Sequence, residues 1–285
     1  MKTGRATNPL TTLPGALISS IAITFGALAH AAPIDDALAA YESSKFDQAG
    51  DLLKALEDKD PRAAGVTCEL LVRKLLPRDD ERGQQACETA VKGHDPHGLM
   101  WRSRAGERGF ATLGFPPSDV AALGYLAEAA EAGYPPAFAR LCERFLRKGE
   151  AQKAAPFCKY AAASNVPEGL YQYSMMLLEG KGVVQDFKKA MVALTLSAQL
   201  NHAPAYATLA ELARNGANGT PKDPIKAYAW LLLATAADPD SQELAVARES
   251  LAKEIGESRV STAQKNAAKW QARPAPTSRD FYAAR

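Results

Sequence analysis

Residues 180–190 read GKGVVQDFKKA, and this stretch gives the clearest indication of the fold. The helical pattern that precedes it breaks at Gly180, because glycine tolerates the left-handed conformation that ends many helices. Asp186 is suited to begin the next helix, since its carboxylate can accept hydrogen bonds from free backbone N–H groups. Ala190 and Leu194 then recur at helical spacing. The stretch therefore predicts two helices joined by a short turn.

The same features recur on either side of this turn. The preceding helix is predicted near residues 170–178, with a buried stripe formed by Tyr171, Ser174, Met175 and Leu178. Downstream, Asn201 can end the second helix in the left-handed conformation. Asp223 followed by Pro224 repeats the capping aspartate and places proline at the first helical position. Two adjacent units thus share one pattern.

Five proline-containing turns each precede a small residue that opens a helical pattern. The small residues are Ala63, Gly98, Ala137, Gly169 and Ala205. They lie 35, 39, 32 and 36 positions apart. Each interval contains two helix-length segments around a polar or glycine-containing turn. This period predicts stacked αα-hairpins, and so an all-α solenoid.

Residues 180–190 resemble the signature G-x-G-V-x-x-D-x-x-K-A of the Sel-1-like repeat family, which is related to tetratricopeptide repeats. Every specified position matches. Residues 223–230, DPIKAYAW, match the second half of the signature, with one residue inserted in the preceding loop. The resemblance covers residues 64–242 and is strongest from residue 169. It implies a right-handed superhelix of helical hairpins that binds other macromolecules.

The segments outside the repeats are predicted to differ in structure. We expect a signal peptide at 1–31, a capping hairpin at 32–63, capping helices at 243–272 and a disordered tail at 273–285. Within the repeats, Pro156 falls where a second helix should be running. Proline removes a helical hydrogen bond, so this helix is expected either to start late or to kink.

The first 31 residues are typical of a secretory signal. Lys2 and Arg5 give a positive start, an apolar run follows at 16–28, and AHA at 29–31 supplies small residues at cleavage spacing. A transmembrane anchor is the alternative, but it needs roughly 20 apolar residues, which is longer than this run. We expect cleavage after Ala31 and a periplasmic or secreted mature protein.

The charge balance disfavours one class of partner. Cleavage removes two basic residues and no acid, which leaves 32 basic and 32 acidic residues in the mature chain. Nucleic-acid binding depends on clustered lysine and arginine that displace counterions from phosphate. The sequence contains no basic run, so we predict that the partner is not a nucleic acid.

The four cysteines lie in register with the repeats. Cys68 and Cys142 each follow an opening small residue by five positions, while Cys87 and Cys158 each precede the next one by eleven. Four cysteines allow three connectivities. The shared register favours Cys68 with Cys87 and Cys142 with Cys158, one cysteine on each helix. The alternative is four buried free thiols that fill helix contacts.

Motifs for catalysis are weak. His94-Asp95-Pro96-His97 groups two imidazoles and a carboxylate, but the proline prevents the helical spacing of zinc ligands. Ser250 and Lys253 fit the S-x-x-K pattern of penicillin-recognising enzymes. Some cysteine-rich proteins of the family that this chain resembles have been credited with β-lactam binding or hydrolysis. A β-lactam-binding or cell-wall-active enzyme is therefore the alternative function, although we predict no catalytic, metal or cofactor site.

A recognition surface is predicted on the first helices, which line the concave side in the family that the chain resembles. The candidates are Trp101, Arg102, Arg104, Arg140, Tyr171, Tyr173, Tyr206 and Tyr228. The alternative for each aromatic residue is packing between helices. The leading functional hypothesis is a periplasmic adaptor or regulator that binds another protein or peptide of the cell envelope.

Overall fold

The structure is a computed structural model that describes residues 33–108, 118–216, 221–273, 276 and 280. The predicted signal segment and its cleavage site lie outside the described residues, as does most of the predicted tail. The described residues belong to one compact unit, Ala32–Arg285. Within these ranges the chain forms fourteen α-helices and no strand, so the predicted all-α class is confirmed.

Twelve of these helices pair as six consecutive hairpins, and two more helices close the stack. The hairpins are α1 Pro33–Glu42 with α2 Phe46–Leu53, α3 Pro61–Val72 with α4 Asp80–Lys92, α5 Pro96–Arg108 with α6 Asp119–Glu131, α7 Pro135–Arg147 with α8 Ala151–Ala163, α9 Pro167–Glu179 with α10 Phe187–Gln199, and α11 Ala203–Asn215 with α12 Pro224–Ala237. The closing helices are α13 Gln242–Ile255 and α14 Glu257–Ala267. The odd-numbered helices up to α11 are the first helices of their hairpins. None of the fourteen combines the length and apolar character needed to cross a membrane.

The predicted helix boundaries arise from the expected local interactions. The carboxylates of Asp186 and Asp223 each accept a hydrogen bond of 2.9 Å from the backbone N–H three residues on. Gly180 and Asn201 have left-handed φ angles of 68° and 61° where their helices end. The predicted caps and stops at these positions are confirmed.

The small residues that open the first helices lie at the closest helix contacts. A Cβ on Gly169 would lie 2.4 Å from the Cβ of Ala161 in α8. A Cβ on Gly98 would lie 2.3 Å from the Cβ of Ala90 in α4. Both separations are far shorter than carbon contacts allow. At these two positions the missing side chain therefore lets α5 approach α4 and α9 approach α8.

The buried stripe predicted for α9 is wrong in part. The buried residues of this helix include Leu170, Ser174 and Leu177, whereas Tyr171 and Met175 are only half-buried. A first helix inside a solenoid contacts the preceding hairpin as well as its own second helix. Its apolar face is therefore wider than a single stripe, and spacing alone does not define it.

The helix that contains Pro156 has its full length. α8 begins at Ala151 and continues through Pro156 to Ala163, so the late start considered for it is wrong. Pro156 is the sixth residue of the helix. Its missing N–H therefore removes one helical hydrogen bond, the one that the carbonyl of Gln152 would otherwise accept.

Candidate partner-binding cleft

A cleft of about 400 Å³ lies along the first helices. Five consecutive hairpins contribute to its lining, and so does a residue beyond α14. The lining residues are Tyr41, Glu42, Ser44, Phe46, Glu69, Arg73, His97, Met100, Trp101, Tyr134, Pro136, Val166, Pro167, Glu168 and Pro276. Aromatic and apolar side chains with a small number of polar groups are the usual composition of a ligand site.

A buried chain of polar groups crosses the cleft. Glu69, whose side chain is 4% exposed, accepts a hydrogen bond of 2.7 Å from Nη1 of Arg73 through Oε1. Its Oε2 lies 2.8 Å from Nε2 of His97. Nδ1 of His97 lies 2.7 Å from the hydroxyl of Tyr134. These polar contacts join α3, α5 and the start of α7.

The charge on Glu69 is maintained by its neighbours. Burial by itself raises the pKa of this carboxyl, but His97 and Arg73 outweigh burial and hold the pKa below its usual value. Burial and the Glu69 carboxylate together raise the pKa of Tyr41 well above its usual range. At neutral pH the cleft therefore contains a carboxylate beside a protonated phenol.

Trp101 forms part of the cleft wall and is held by two cations. The guanidinium of Arg104 lies 4.7 Å from the centre of the indole ring, and that of Arg73 lies 6.0 Å from it. Both distances fall within the range of cation–π attraction. The indole Nε1 is buried and forms no hydrogen bond with the described residues. The ring is thus fixed in position.

Of the predicted recognition residues, Trp101 lines the cleft and Arg104 packs on its ring. Arg102 points to a different neighbour. Its guanidinium lies 5.1 Å from the ring centre of Tyr125 in α6, the second helix of the same hairpin. Arg102 and Arg104 are two positions apart in α5 and therefore contact different neighbours: Arg102 contacts α6, and Arg104 contacts the tryptophan of the cleft.

Arg140 belongs to an ion-pair cluster between two first helices. It pairs with Glu107 in α5 at 2.9 Å and with Glu143 in its own helix. The neighbouring Arg144, whose side chain is 6% exposed, also pairs with Glu107 at 2.6 Å. The guanidinium of Arg140 therefore joins α5 to α7, and it does not line the cleft.

The predicted tyrosines also lie away from the cleft. The ring of Tyr171 lies 5.3 Å from that of His202, and Tyr173 packs against a buried cluster that includes Ala193 of α10 while it also lines a separate pocket. Tyr206 is 1% exposed beneath the rings of Trp230 and Trp270, and Tyr228 is buried. These contacts favour the alternative that the tyrosines pack between helices.

The cysteines form the two pairs that the register favours. Cys68 in α3 bonds to Cys87 in α4, and Cys142 in α7 bonds to Cys158 in α8. All four side chains are fully buried. Each bond therefore joins the two helices of one hairpin, in the second and fourth hairpins of the stack.

The polar chain across the cleft is absent from the sequence predictions. Glu69 carries a usable signal, because it is the one charged residue within the run AAGVTCELLV at 63–72. A carboxylate inside an apolar helix is almost never buried without a partner. His97 and Tyr134 follow it by 28 and 65 positions, and no sequence pattern links the three residues.

The weak catalytic motifs separate in space. The carboxylate of Asp95 accepts a hydrogen bond from the backbone N–H of Gly98. The ring of His97 contacts Glu69, whereas the ring of His94 contacts Glu128 in α6. No group of three or more potential metal ligands occurs within the part of the chain that the structure describes. Ser250 and Lys253 are both exposed on α13 and do not line the cleft.

Comparison with known proteins agrees with this architecture. The family model for the Sel1 repeat matches three segments of the sequence, residues 104–134, 167–202 and 203–239. A search of curated proteins gave no match.

Solved structures with a similar fold include three bacterial proteins. A protective antigen of uropathogenic Escherichia coli with an SLR fold is 19% identical, with a TM-score of 0.64 over 82% of this chain. The chain spans about half of that protein, 52% of its length. A Sel1 repeat protein from Oxalobacter formigenes is 17% identical, with a TM-score of 0.60 over 83% of this chain and 99% of the other. An immunity protein from Pseudomonas aeruginosa is 20% identical, with a TM-score of 0.51 over 72% and 83% of the two chains.

Identities this low establish a common fold and nothing more. The repeat matches add the type of repeat, because they cover the units at 167–202 and 203–239 where the signature residues occur. The described hairpins have the architecture that such repeats form. Three segments of this chain are therefore similar to Sel1 repeats, and they lie in a helical scaffold of the kind suited to protein–protein interaction.

Proposed function

We propose that this protein is an exported periplasmic adaptor that binds a partner protein of the cell envelope in the cleft. The observation that carries the proposal is the cleft itself, which five hairpins line and whose tryptophan contacts two arginines. Aromatic and arginine side chains in well-packed surroundings supply most of the binding energy at protein interfaces. The lining of the cleft therefore has the composition expected of a pocket that binds an anchor residue of a partner.

Two features support export. The first 31 residues have the charge and hydropathy pattern of a secretory signal. The two cysteine pairs form bonds that persist in an oxidising compartment and are rare in the cytosol. Both features favour the periplasm, where thiols are oxidised after translocation.

A charge reversal at the cleft edge is expected to weaken partner binding. Glu42 is exposed at the last position of α1 and lines the cleft. Arginine at a helix C-terminus interacts favourably with the helix dipole, so Glu42→Arg should leave the fold intact. We expect recovery of the partner from periplasmic extract, captured on the immobilised mature protein, to fall about 3- to 10-fold, as for a charge at the edge of an interface.

The matched control is Glu131→Arg. Glu131 is likewise an exposed glutamate at the last position of a helix, but α6 contributes nothing to the cleft. The control should recover the partner as well as the wild type does. If both variants recovered as much partner as the wild type, or if both lost it to the same extent, the partner would not bind in the cleft.

The alternative enzyme function is tested with a labelled penicillin. Ser250 and Lys253 are exposed on α13, without the enclosed site that an acylated serine needs. We therefore expect no covalent adduct when the mature protein is incubated with the label and analysed by mass spectrometry. A stoichiometric adduct that disappears in Ser250→Ala would show that the protein is an enzyme and not only a scaffold.

A further inference from the structure

A second concave surface lies beside the second helices of the fourth and fifth hairpins. These helices, α8 and α10, each pack on α9 and make little contact with one another. Residues of all three helices line a groove of about 500 Å³, which we call the α10 groove. It shares no lining residue with the cleft. The two concave surfaces are therefore separate.

The floor of the α10 groove is apolar and recessed. Ala162 of α8, Leu170 of α9 and Ala193 of α10 pack together, and each is less than a tenth exposed. Two of these three side chains are single methyl groups, so the floor stays low. Tyr173 and Leu196 are half-buried against the same cluster and also line the groove. A recess of this composition suits an apolar side chain of a partner.

A ridge of α10 borders the groove. Lys188, Val192 and Leu196 follow one another at intervals of four residues in this helix, and all three line the groove. Val192 is 58% exposed, although it lies next to the apolar floor. Rows of side chains at this spacing pack into the surface grooves of a second helix. The surface therefore fits a helix that lies beside α10.

The charge of the neighbouring second helices is one-sided. α8 and α10 contain two lysines each and α12 contains one, and none of the three helices contains an acidic residue. By contrast, α4 and α6 contain three acidic residues each. This part of the surface therefore complements a partner that carries carboxylates, and it repels a basic partner.

Two of these lysines lie in the lining of the groove. Lys189 pairs with Asp186 at 2.9 Å, so its charge is matched within the chain. Lys188 is exposed and forms no ion pair with the residues that the structure describes. Lys188 is therefore the cation that a carboxylate of the partner can reach next to the apolar floor.

We propose that the α10 groove binds an acidic amphipathic helix of a second partner protein. The apolar face of that helix covers Val192 and enters the recess over Ala193, while one of its carboxylates pairs with Lys188. Val192 is the one apolar lining residue that is mostly exposed, so the surface is shaped for a ridge of a helix and not for a flat lipid surface. A chain with both this groove and the cleft can hold two partners at once.

The experiment uses two labelled synthetic peptides designed as amphipathic helices. One has leucine on one face and glutamate on the other, and the second has lysine in place of each glutamate. We expect the mature chain to bind the acidic peptide at least ~10-fold more tightly than the basic one, and to bind it less tightly as salt is added. Fluorescence anisotropy measures the affinities.

Lys188→Glu tests the charge of the groove. Lys188 lies in the first turn of α10, where a carboxylate interacts favourably with the helix dipole, so the variant should fold. We expect it to bind the acidic peptide about 10-fold more weakly than the wild type does. The matched control is Lys226→Glu, because Lys226 is exposed in the first turn of α12 and does not line the groove. The control should bind like the wild type.

Val192→Ser tests the apolar contact separately from the charge. The exposed position means that serine should leave the fold unchanged, while the loss of apolar area should weaken the acidic peptide several-fold. The matched control is Val120→Ser, since Val120 is 84% exposed on α6 and does not line the groove. Circular dichroism checks the fold of every variant.

The proposal is overturned if the acidic peptide does not bind, or if the wild type binds both peptides equally. Equal affinities of Lys188→Glu and Lys226→Glu for the acidic peptide also overturn it. Vesicles of phosphatidylglycerol that bind the wild type but not Lys188→Glu, while the peptide does not bind, assign the surface to a membrane instead. Light scattering that shows a dimer of the mature chain, lost in Lys188→Glu, assigns the groove to a second copy and likewise overturns it. Glu42→Arg and Glu131→Arg test the cleft separately, so failure of one proposal does not decide the other.

Discussion

Replacing all four cysteines with alanine is expected to lower the free energy of unfolding by about 6 kcal/mol, about 3 kcal/mol for each disulfide. The bonds join residues 19 and 16 positions apart, and a crosslink stabilises a protein mainly by limiting the freedom of the unfolded chain. They lie in the second and fourth hairpins and share no partner, so their effects should add. The loss is comparable with the whole stability of many proteins, roughly 5–15 kcal/mol.

Equilibrium denaturation of protein purified from the periplasm measures this loss. Each double variant, Cys68→Ala with Cys87→Ala or Cys142→Ala with Cys158→Ala, should show about half of the effect. The wild type should contain no free thiol and should approach the quadruple variant when reductant is added. The pairing would be contradicted if the exported protein contained four free thiols. It would also be contradicted if reductant did not change the stability of the wild type.

Glu69→Ala is expected to lower the free energy of unfolding by about 3 kcal/mol, the lower end of the range for breaking a buried ion pair. The substitution leaves His97, whose side chain is 3% exposed, without its carboxylate. Arg73 is 44% exposed and regains water, which keeps the loss at the lower end. Urea denaturation measures the change. Glu88→Ala, an exposed glutamate on α4 of the same hairpin, is the matched control and should change stability by less than about 0.5 kcal/mol.

The free energy of unfolding is also expected to depend on pH through the carboxylate of Glu69. The pKa of Glu69 is lower in the folded protein than in the unfolded chain, so its stabilisation is complete above the ordinary glutamate pKa. The stabilisation is lost as the pH falls through the lowered folded value, because the unfolded state then binds the proton more readily. Glu69→Gln should therefore show a flatter decline in stability below about pH 4.3 than the wild type does. Parallel curves would mean that Glu69 does not contribute through its charge.

The features predicted from the sequence are those that depend on short-range interactions. A capping aspartate such as Asp186 bonds to a backbone group three residues away, and Asn201 ends its helix through its own φ angle. The cysteine pairs are also short-range, since each lies within one hairpin. Their register follows from the repeat itself, and so the pairing could be predicted without a structure.

The predicted recognition residues show where this reasoning fails. Aromatic residues on first helices are equally consistent with a binding surface and with packing between helices. Trp101 lines the cleft and Tyr206 is buried beneath two tryptophans, although both were chosen by the same criterion. The difference depends on what covers each ring: Tyr206 lies under Trp230 of α12 and under Trp270 in the segment after α14.

The sequence was sufficient to predict the repeat, the helix ends marked by Gly180, Asp186, Asn201 and Asp223, and the cysteine pairing that the register favours, because each of these depends on residues within one hairpin. Only the tertiary structure decided which side chains meet across hairpins. It brought Glu69, His97 and Tyr134 into one buried chain and placed Pro276 in a cleft formed by the first five hairpins. The physical reason is that such contacts depend on how each hairpin is rotated against the next, and this rotation is set by the packing of the whole stack.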